Sequence, residues 1–310
     1  MQIISTSTAY NTVLSNLMTA ETREGNISAQ VSSGENATDL QGYASNAETL
    51  IAMQTVQSQV TGFISTGQVL TAKLSSQATG LSQVGDAITS ASSAVTNALA
   101  AGSGDDLMAS LQSAFNNAVQ GMNTTFNGQY VFGGGQVTTA PVTATQLSDL
   151  TAAPSIASLF NNDQVIQSAQ VNQNTTLPTG ILASSIGTPL FNVLQTIEAY
   201  NQGPNGPLTG TLTAAQTTFL QGQITALTNA SNALNTVSGQ NGLVQSEVAS
   251  TQTDLNNQQT SLQTMSGDIT NTNMAQAASN LQQAQLAIQA SAKVFAALES
   301  SSLVTLLPTG

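Results

Sequence analysis

Asp105, Asp106 and Asp254 are the side chains of this chain that invite a search for acid–base chemistry, because two placed carboxylates can divide the roles of proton donor and acceptor. No second carboxylate stands at a matching helical spacing, and no histidine, cysteine or lysine-bearing constellation accompanies them. Helix capping or a solvated face accounts for all three, and Asp105 or Asp106 is placed to cap a helix that starts after Gly102-Ser103-Gly104. Gly133-Gly134-Gly135 lacks the Lys-Ser/Thr that follows a phosphate-binding loop, and the strand-to-helix context as well. Asn26-Ile27-Ser28 and Asn174-Thr175-Thr176 match the glycosylation sequon, a weak signal in a chain so rich in Asn, Ser and Thr. With no histidine and no cysteine, disulfides, thiol nucleophiles, most zinc sites and the commonest general base are all removed. The expectation is a protein that is not an enzyme, with no cofactor and no metal.

The bulk composition narrows the partners. Fifteen acids against three bases (Arg23, Lys73, Lys293) give a net charge of -12 over 310 residues, and no basic cluster exists to neutralise phosphates. Nucleic acid is therefore not an expected partner. Charged residues make up 6% of the chain and aromatics 4%, far below ordinary usage, with Asn, Gln, Ser, Thr and Ala filling the gap. The first residues, Met1-Gln2-Ile3-Ile4-Ser5-Thr6, have neither a basic nor an apolar signal region, and no window reaches 18 consecutive apolar residues. No membrane insertion is expected. The lack of cysteine fits either side of a membrane and leaves the compartment open.

The elements are marked by proline and by heptads. All seven prolines lie between Pro141 and Pro308, six of them within residues 141–207. Proline costs a helix interior about 3 kcal/mol, so the proline-free stretches on either side are free to form long helices. Steps of three and four from Ile3 pass through Tyr10, Val13, Leu17, Ala20, Glu24, Ile27 and Val31, an amphipathic helix that stops near Ser33-Gly34. Residues 34–46 read as a loop. A second series, offset in phase, runs from Met53 through Val60, Leu70, Leu74, Gln77, Leu81, Ile88 and Val95 to Ala98, a helix of roughly 70 Å. Leu107, Leu111, Phe115, Ala118 and Met122 mark a third helix, expected to run back along the second and to end at Asn127-Gly128. Tyr130-Val131-Phe132 then reads as strand, and the glycines after it as a turn.

Residues 136–207 have short segments and an alternating run from Val165 to Val171, which predicts a small lobe with several strands. Within it Leu190 to Ala199 reads as a short helix, with Pro189 in its first turn. A long series returns from Leu227 through Asn241, Val248 and Leu255 to Ile269, breaks phase over Gly267 to Asn273, and resumes from Met274 through Leu281, Ile288 and Phe295 to Leu298. The breaks near residues 34 and 270 are close to mirror images. The predicted fold is mainly α with a small β-rich insert: a long antiparallel coiled-coil rod formed by the N- and C-terminal segments, with a middle α+β or β lobe. Three nested layers follow: residues 1–40 with 270–310, residues 41–133 with 208–269, and an outer lobe of 134–207.

Four stretches carry a resemblance to a known family. They are Ile4-Ser5-Thr6 through Ala29-Gln30-Val31-Ser32-Ser33-Gly34, Asn127-Gly128-Gln129-Tyr130-Val131-Phe132-Gly133-Gly134, Ser266-Gly267-Asp268-Ile269 with Asn273-Met274-Ala275-Gln276-Ala277-Ala278, and Leu303-Val304-Thr305-Leu306-Leu307. Together they resemble the flagellin superfamily, and within it the hook-associated proteins of the hook–filament junction. The Gly-x-Tyr-x-Phe-Gly-Gly signature, here Tyr130, Phe132, Gly133 and Gly134, separates junction proteins from filament flagellins. Where the family usually carries a basic residue after the Ser/Thr-Gly, this chain has Glu35, and charges elsewhere give way to Asn and Gln.

The resemblance implies an extracellular structural subunit of the bacterial flagellum, exported unfolded by the flagellar type III apparatus and ordered on assembly. Implied partners are copies of itself in a ring, a neighbouring hook-associated protein, filament flagellin, and an export chaperone that grips the C-terminal helix. A minor filament flagellin, or a flagellin-like surface adhesin binding a glycan through the outer lobe, are the alternatives.

The terminal heptads themselves admit two readings, an intramolecular bundle or contact between subunits. Their Ser, Thr, Asn and Gly content makes each helix marginal alone, which favours the second. Tyr10, Leu17, Ile27, Val31, Leu281, Ile288, Phe295 and Leu298 are the expected subunit-contact residues. Gly67, Gly80 and Gly85 inside the second helix mark either close helix packing or a weak helix that unfolds readily for export.

Overall fold

The computed structural model describes residues 2–304, with side chains described over 8–298. Seven α-helices and two short hairpins follow in order: α1 (Gln2–Ser33), α2 (Ala47–Ala101), α3 (Leu107–Met122), β1 (Thr125–Phe126), β2 (Gln129–Tyr130), α4 (Leu147–Ala152), β3 (Ser168–Gln170), β4 (Thr176–Pro178), α5 (Ala183–Gln202), α6 (Ala214–Thr270) and α7 (Met274–Val304). 3-10 turns lie at Leu40–Asn46, kinked at Ala44 where the sequence suggested an aperiodic loop, and at Ile156–Leu159. No helix of the described residues is long and apolar enough to cross a membrane. Contacts divide the chain into two compact units, one of residues 1–59 and 258–310 and the other of 60–257.

The first unit is built on α1 against α7. The Tyr10 and Phe295 rings meet at 4.9 Å, and Glu35 bridges to Asn271, so the two helices run antiparallel. Glu35 lies twenty-five residues after Tyr10 and Phe295 twenty-four after Asn271, as two paired helices of equal rise require. The heptad positions face inward as the spacing requires. Ile27, Ala277 and Ala284 are buried, and Val13, Leu17, Val31, Leu281, Ile288, Phe295 and Leu298 are half-buried. The side chains of Ile3 and Thr6, and the flanking motifs at residues 4–6 and 303–307, lie outside the described residues.

In the second unit α2 and α6 lie antiparallel, since Gly67 meets Gln252, Leu74 meets Asn241 and Gly85 meets Leu234. One apolar cluster fills the unit. It joins Leu81, Val84, Ile88 and Val95 of α2, Leu111 and Phe115 of α3, Leu190, Phe191 and Leu194 of α5, and Leu220, Leu227 and Leu234 of α6. Phe160 stacks on Phe191 at 5.4 Å, and Phe115 meets the same ring at 5.2 Å with a tilt of 40°. Val142, Leu147, Leu150 and Ile156 belong to the same cluster, so the proline-rich stretch shares the core of the flanking helices rather than closing one of its own. A smaller cluster of Leu70, Leu74, Val171 and Val248 seats the β3–β4 hairpin.

Four local expectations change. α3 ends at Met122, five residues early, and Asn127-Gly128 instead turns the β1–β2 hairpin with φ of 50° and 76°. Two successive positive φ values are what a two-residue hairpin with right-handed strand twist requires, and Asn-Gly tolerates them best. The strand pair is Thr125–Phe126 with Gln129–Tyr130, while Val131 and Phe132 follow as buried irregular chain. The 136–207 stretch holds a single three-residue hairpin, and α5 is its largest element. α5 begins at Ala183, because Ala183 N–H donates to Phe132 O at 2.9 Å and anchors the first turn, which leaves Pro189 inside the helix rather than at its start. Pro189 has no N–H to give the Ser185 carbonyl, a loss offset by burial of Ile186, Leu190 and Phe191.

Candidate functional site

None of the acids singled out in the sequence assembles a reactive centre. Asp106 occupies the cap position of α3 but makes no capping bond. Asp105 instead reaches across the chain: its carboxylate accepts from Gly210 N–H at 2.6 Å and from Ser103 Oγ at 2.9 Å. With Gly104 N–H donating to Gly210 O and Leu212 N–H to Gly102 O, this fastens the α2–α3 turn to the approach of α6. The Gly210 bond, and then the Ser103 bond, hold the Asp105 carboxyl below the usual carboxylate range. Asp254 is exposed on α6. Among the described residues no group of His, Cys, Asp and Glu could hold a metal ion.

The Tyr130 to Gly134 stretch is structural in its contacts. Tyr130 N–H donates to Val137 O, and Val131 N–H to Thr124 O. Phe132 is fully buried, and Gly133 bridges to Leu182 ahead of α5. Gly134 has a φ of 66°, and a Cβ there would meet the Asp163 carboxylate at 2.3 Å, so glycine is required twice over. Asp163 accepts from Gly135 N–H at 2.8 Å and Val165 N–H at 2.9 Å, and these bonds hold it below the usual range. Sequence reasoning passed over Asp163. An Asx-type turn two residues before Val165 was the available signal.

Polar residues inside the α2–α6 pairing were also passed over as ligands of the backbone. Gln77 is fully buried and donates to Val131 O and Thr179 O, tying the signature stretch to α2. Asn241 is buried opposite and donates to Leu74 O at 3.2 Å, and its Oδ1 has no partner. Of the helix glycines, Gly80 and Gly121 mark the closest approach of α2 to α3. A Cβ on Gly80 would stand 2.7 Å from Gly121 O, and one on Gly67 would stand 2.6 Å from Gln252 Nε2, whereas Gly85 has room.

The expected subunit-contact residues Tyr10, Leu17, Ile27, Val31, Leu281, Ile288, Phe295 and Leu298 all lie along the seam between α1 and α7 of one chain. Apolar side chains remain outside it. Leu14 and Met18 sit with Asn11, Ser15, Thr22 and Arg23 along an open groove on α1, and Leu286 and Val294 stand out from α7. None of the four lies on the heptads read from the sequence: Leu14 and Val294 flank the seam, and Met18 and Leu286 stand farther round their helices.

Between Val60 and Asn257 there are eight acids (Asp86, Asp105, Asp106, Asp149, Asp163, Glu198, Glu247, Asp254) and one base, Lys73. Lys73 bonds the neutral Gln167 side chain, and burial holds its ammonium below the ordinary lysine range.

Comparison with known proteins places this arrangement. Residues 224–307 match the bacterial flagellin C-terminal helical region. No curated protein matches the chain by sequence. Among solved structures, a flagellar hook-associated protein from Vibrio parahaemolyticus superposes with a TM-score of 0.60 at 16% identity, covering 73% of this chain and 97% of its own. FlgL of Bacillus cereus superposes with a TM-score of 0.53 at 15% identity, covering 71% of this chain and 99% of its own. The chain thus shares the fold of these two proteins, and α6 and α7 carry the match to the bacterial flagellin C-terminal helical region.

Proposed function

We propose that this protein is a structural subunit of the bacterial flagellum that joins hook to filament. The observation that carries the reading is the first unit. There α1 pairs antiparallel with a helix inside the flagellin-matched region, and Leu14, Met18, Leu286 and Val294 of that unit are left exposed. A seam whose heptad residues are mostly half-buried is incompletely packed, and copies of the same unit offer the apolar surface that completes it. The subunit acts mechanically, without catalysis: terminal helices from several chains stack. Its neighbours are a hook-associated protein on one side and filament flagellin on the other. Before assembly the chain is exported unfolded, with a chaperone on its C-terminal helix, and it works outside the cell. The absence of cysteine suits that route, since no cross-link can form before threading.

Electron microscopy of cells lacking the protein tests the junction role. Hooks without filaments, with flagellin shed into the medium, is the expected phenotype. A filament flagellin would differ in two ways: its loss would leave a filament of its paralogues or shorten the filament, and the purified chain would polymerise alone into long filaments. Either result overturns the junction reading.

A further inference from the structure

Lys73 lines a cleft of about 430 Å³ between α2 and β3, whose walls include Thr66, Val69, Leu70, Gln167 and Ala169. A half-buried ammonium facing a neutral amide is an uncompensated charge, and no ion pair to it forms among the described residues. The apolar surround is also open. Val69 lines the cleft, Val165 and Ile166 lead into its Gln167 wall, and each of the three is more than half exposed. A cation within an apolar rim calls for a carboxylate carried next to an aliphatic side chain.

α6 presents that pair. Leu243 is the most exposed large apolar side chain of the described residues, at 72%, and exposed Glu247 follows one turn later on the same face. Glu247 is not paired with Lys73 of its own chain. We propose that the Lys73 cleft receives the Leu243–Glu247 face of a second copy of this chain, with Leu243 against Val69, Val165 and Ile166 and the Glu247 carboxylate on the Lys73 ammonium.

Charge complementarity selects this occupant. The second unit has eight acids to its one base, so copies brought side by side repel unless the lysine of one meets an acid of the next. The two patches differ, so the contact is head-to-tail and extends around a ring or helix instead of closing a dimer. The inference rests on the self-association put forward above.

The natural absence of cysteine makes the test clean. Full-length chains carrying Val69→Cys are mixed with chains carrying Leu243→Cys, allowed to assemble, oxidised, and run on a non-reducing gel. A disulfide-linked dimer is expected in the mixture and not with either variant alone. In the same assay Lys73→Glu and Glu247→Lys each lower the cross-link yield about tenfold, and the two reversals together restore it. If the wild-type chain sediments as assembled particles while the mixture stays uncross-linked and the reversals change nothing, the cleft contact is overturned and the structural role stands. If the wild-type chain does not associate at all, both are overturned.

Discussion

Asn36 and Thr272, 236 residues apart in the chain, are joined side chain to side chain: Thr272 Oγ1 donates to Asn36 Oδ1 at 2.8 Å. The Asn36 amide nitrogen donates in turn to Ile269 O and Asn271 O, its backbone N–H to Thr270 O, and Thr272 N–H to Gly34 O. The two phase breaks of the sequence are therefore one structural feature. The end of α1 and the break between α6 and α7 supply each other's missing hydrogen bonds, as interrupted helices must. Asn36→Ala removes three side-chain bonds at an exposed site. A loss of about 1 kcal/mol is expected, within the net range for a few solvent-competed bonds. Hydrogen exchange at the Thr272 amide should rise in that variant, and an unchanged rate would show that the clasp holds nothing.

Hydrogen exchange should also divide the free protein by unit. α1 and α7 have mostly half-buried heptad residues, while α2 from Leu70 to Ala98 buries nearly every heptad position. Local opening costs least where few apolar contacts are lost. Amides of residues 8–33 and 274–298 should exchange well before those of 81–98 in a verified monomer, and become protected on assembly. Equal protection throughout the monomer would count against ordering on assembly.

The helix glycines separate packing from propensity. Gly80→Ala places a methyl 2.7 Å from both Gly121 O and Phe132 Cε2, and should cost about 1–3 kcal/mol as overpacking against backbone. Gly85→Ala meets nothing nearer than Leu234 Cδ2 at 3.5 Å, and should stabilise by about 0.5–1 kcal/mol through helix propensity. Urea denaturation of both variants checks the opposite signs. A stabilised Gly80→Ala protein would show that the α2–α3 crossing is looser than its geometry.

Acid sensitivity should come from turns. Asp105, Asp163 and Asp149 each accept two backbone or hydroxyl bonds that lower their carboxyl pKa in the folded chain. A depressed folded pKa favours folding above the unfolded value of about 4, and that contribution disappears as pH falls through the folded pKa. Stability is expected to hold from neutral pH down to about 4 and to decline below it. Asp105→Asn, which keeps an acceptor but cannot titrate, should flatten that decline. Thermal melts of both proteins across this range decide the point, and parallel curves would remove Asp105 from the account.

The periodic elements could be read without coordinates because heptad spacing is a local property. Proline exclusion and a repeat of three and four residues required α1, α2, α6 and α7, their inward residues, and the breaks near 34 and 270. Asn127-Gly128 was legible too, as the strongest short hairpin signal there is, yet the apolar spacing of α3 drew the helix past it. What tertiary structure alone decided is which surface each stripe meets. A heptad says that one face must be covered, and is silent on whether the cover is the same chain or another.

The described structure lays Tyr10 on Phe295 within one chain, and so moves attention to the apolar side chains outside the seam, such as Leu14 and Met18. The same holds for the proline-rich stretch. Its short apolar segments look self-contained in sequence, but Phe191, Leu150 and Val142 enter the core of α2 and α3, because segments so short cannot bury their own side chains. No local pattern gave the long-range contacts of Asp105, Asp163 and Lys73. Their roles depend on partners far along the chain, at Gly210, Gly135 and Gln167, which no spacing rule within one element could supply.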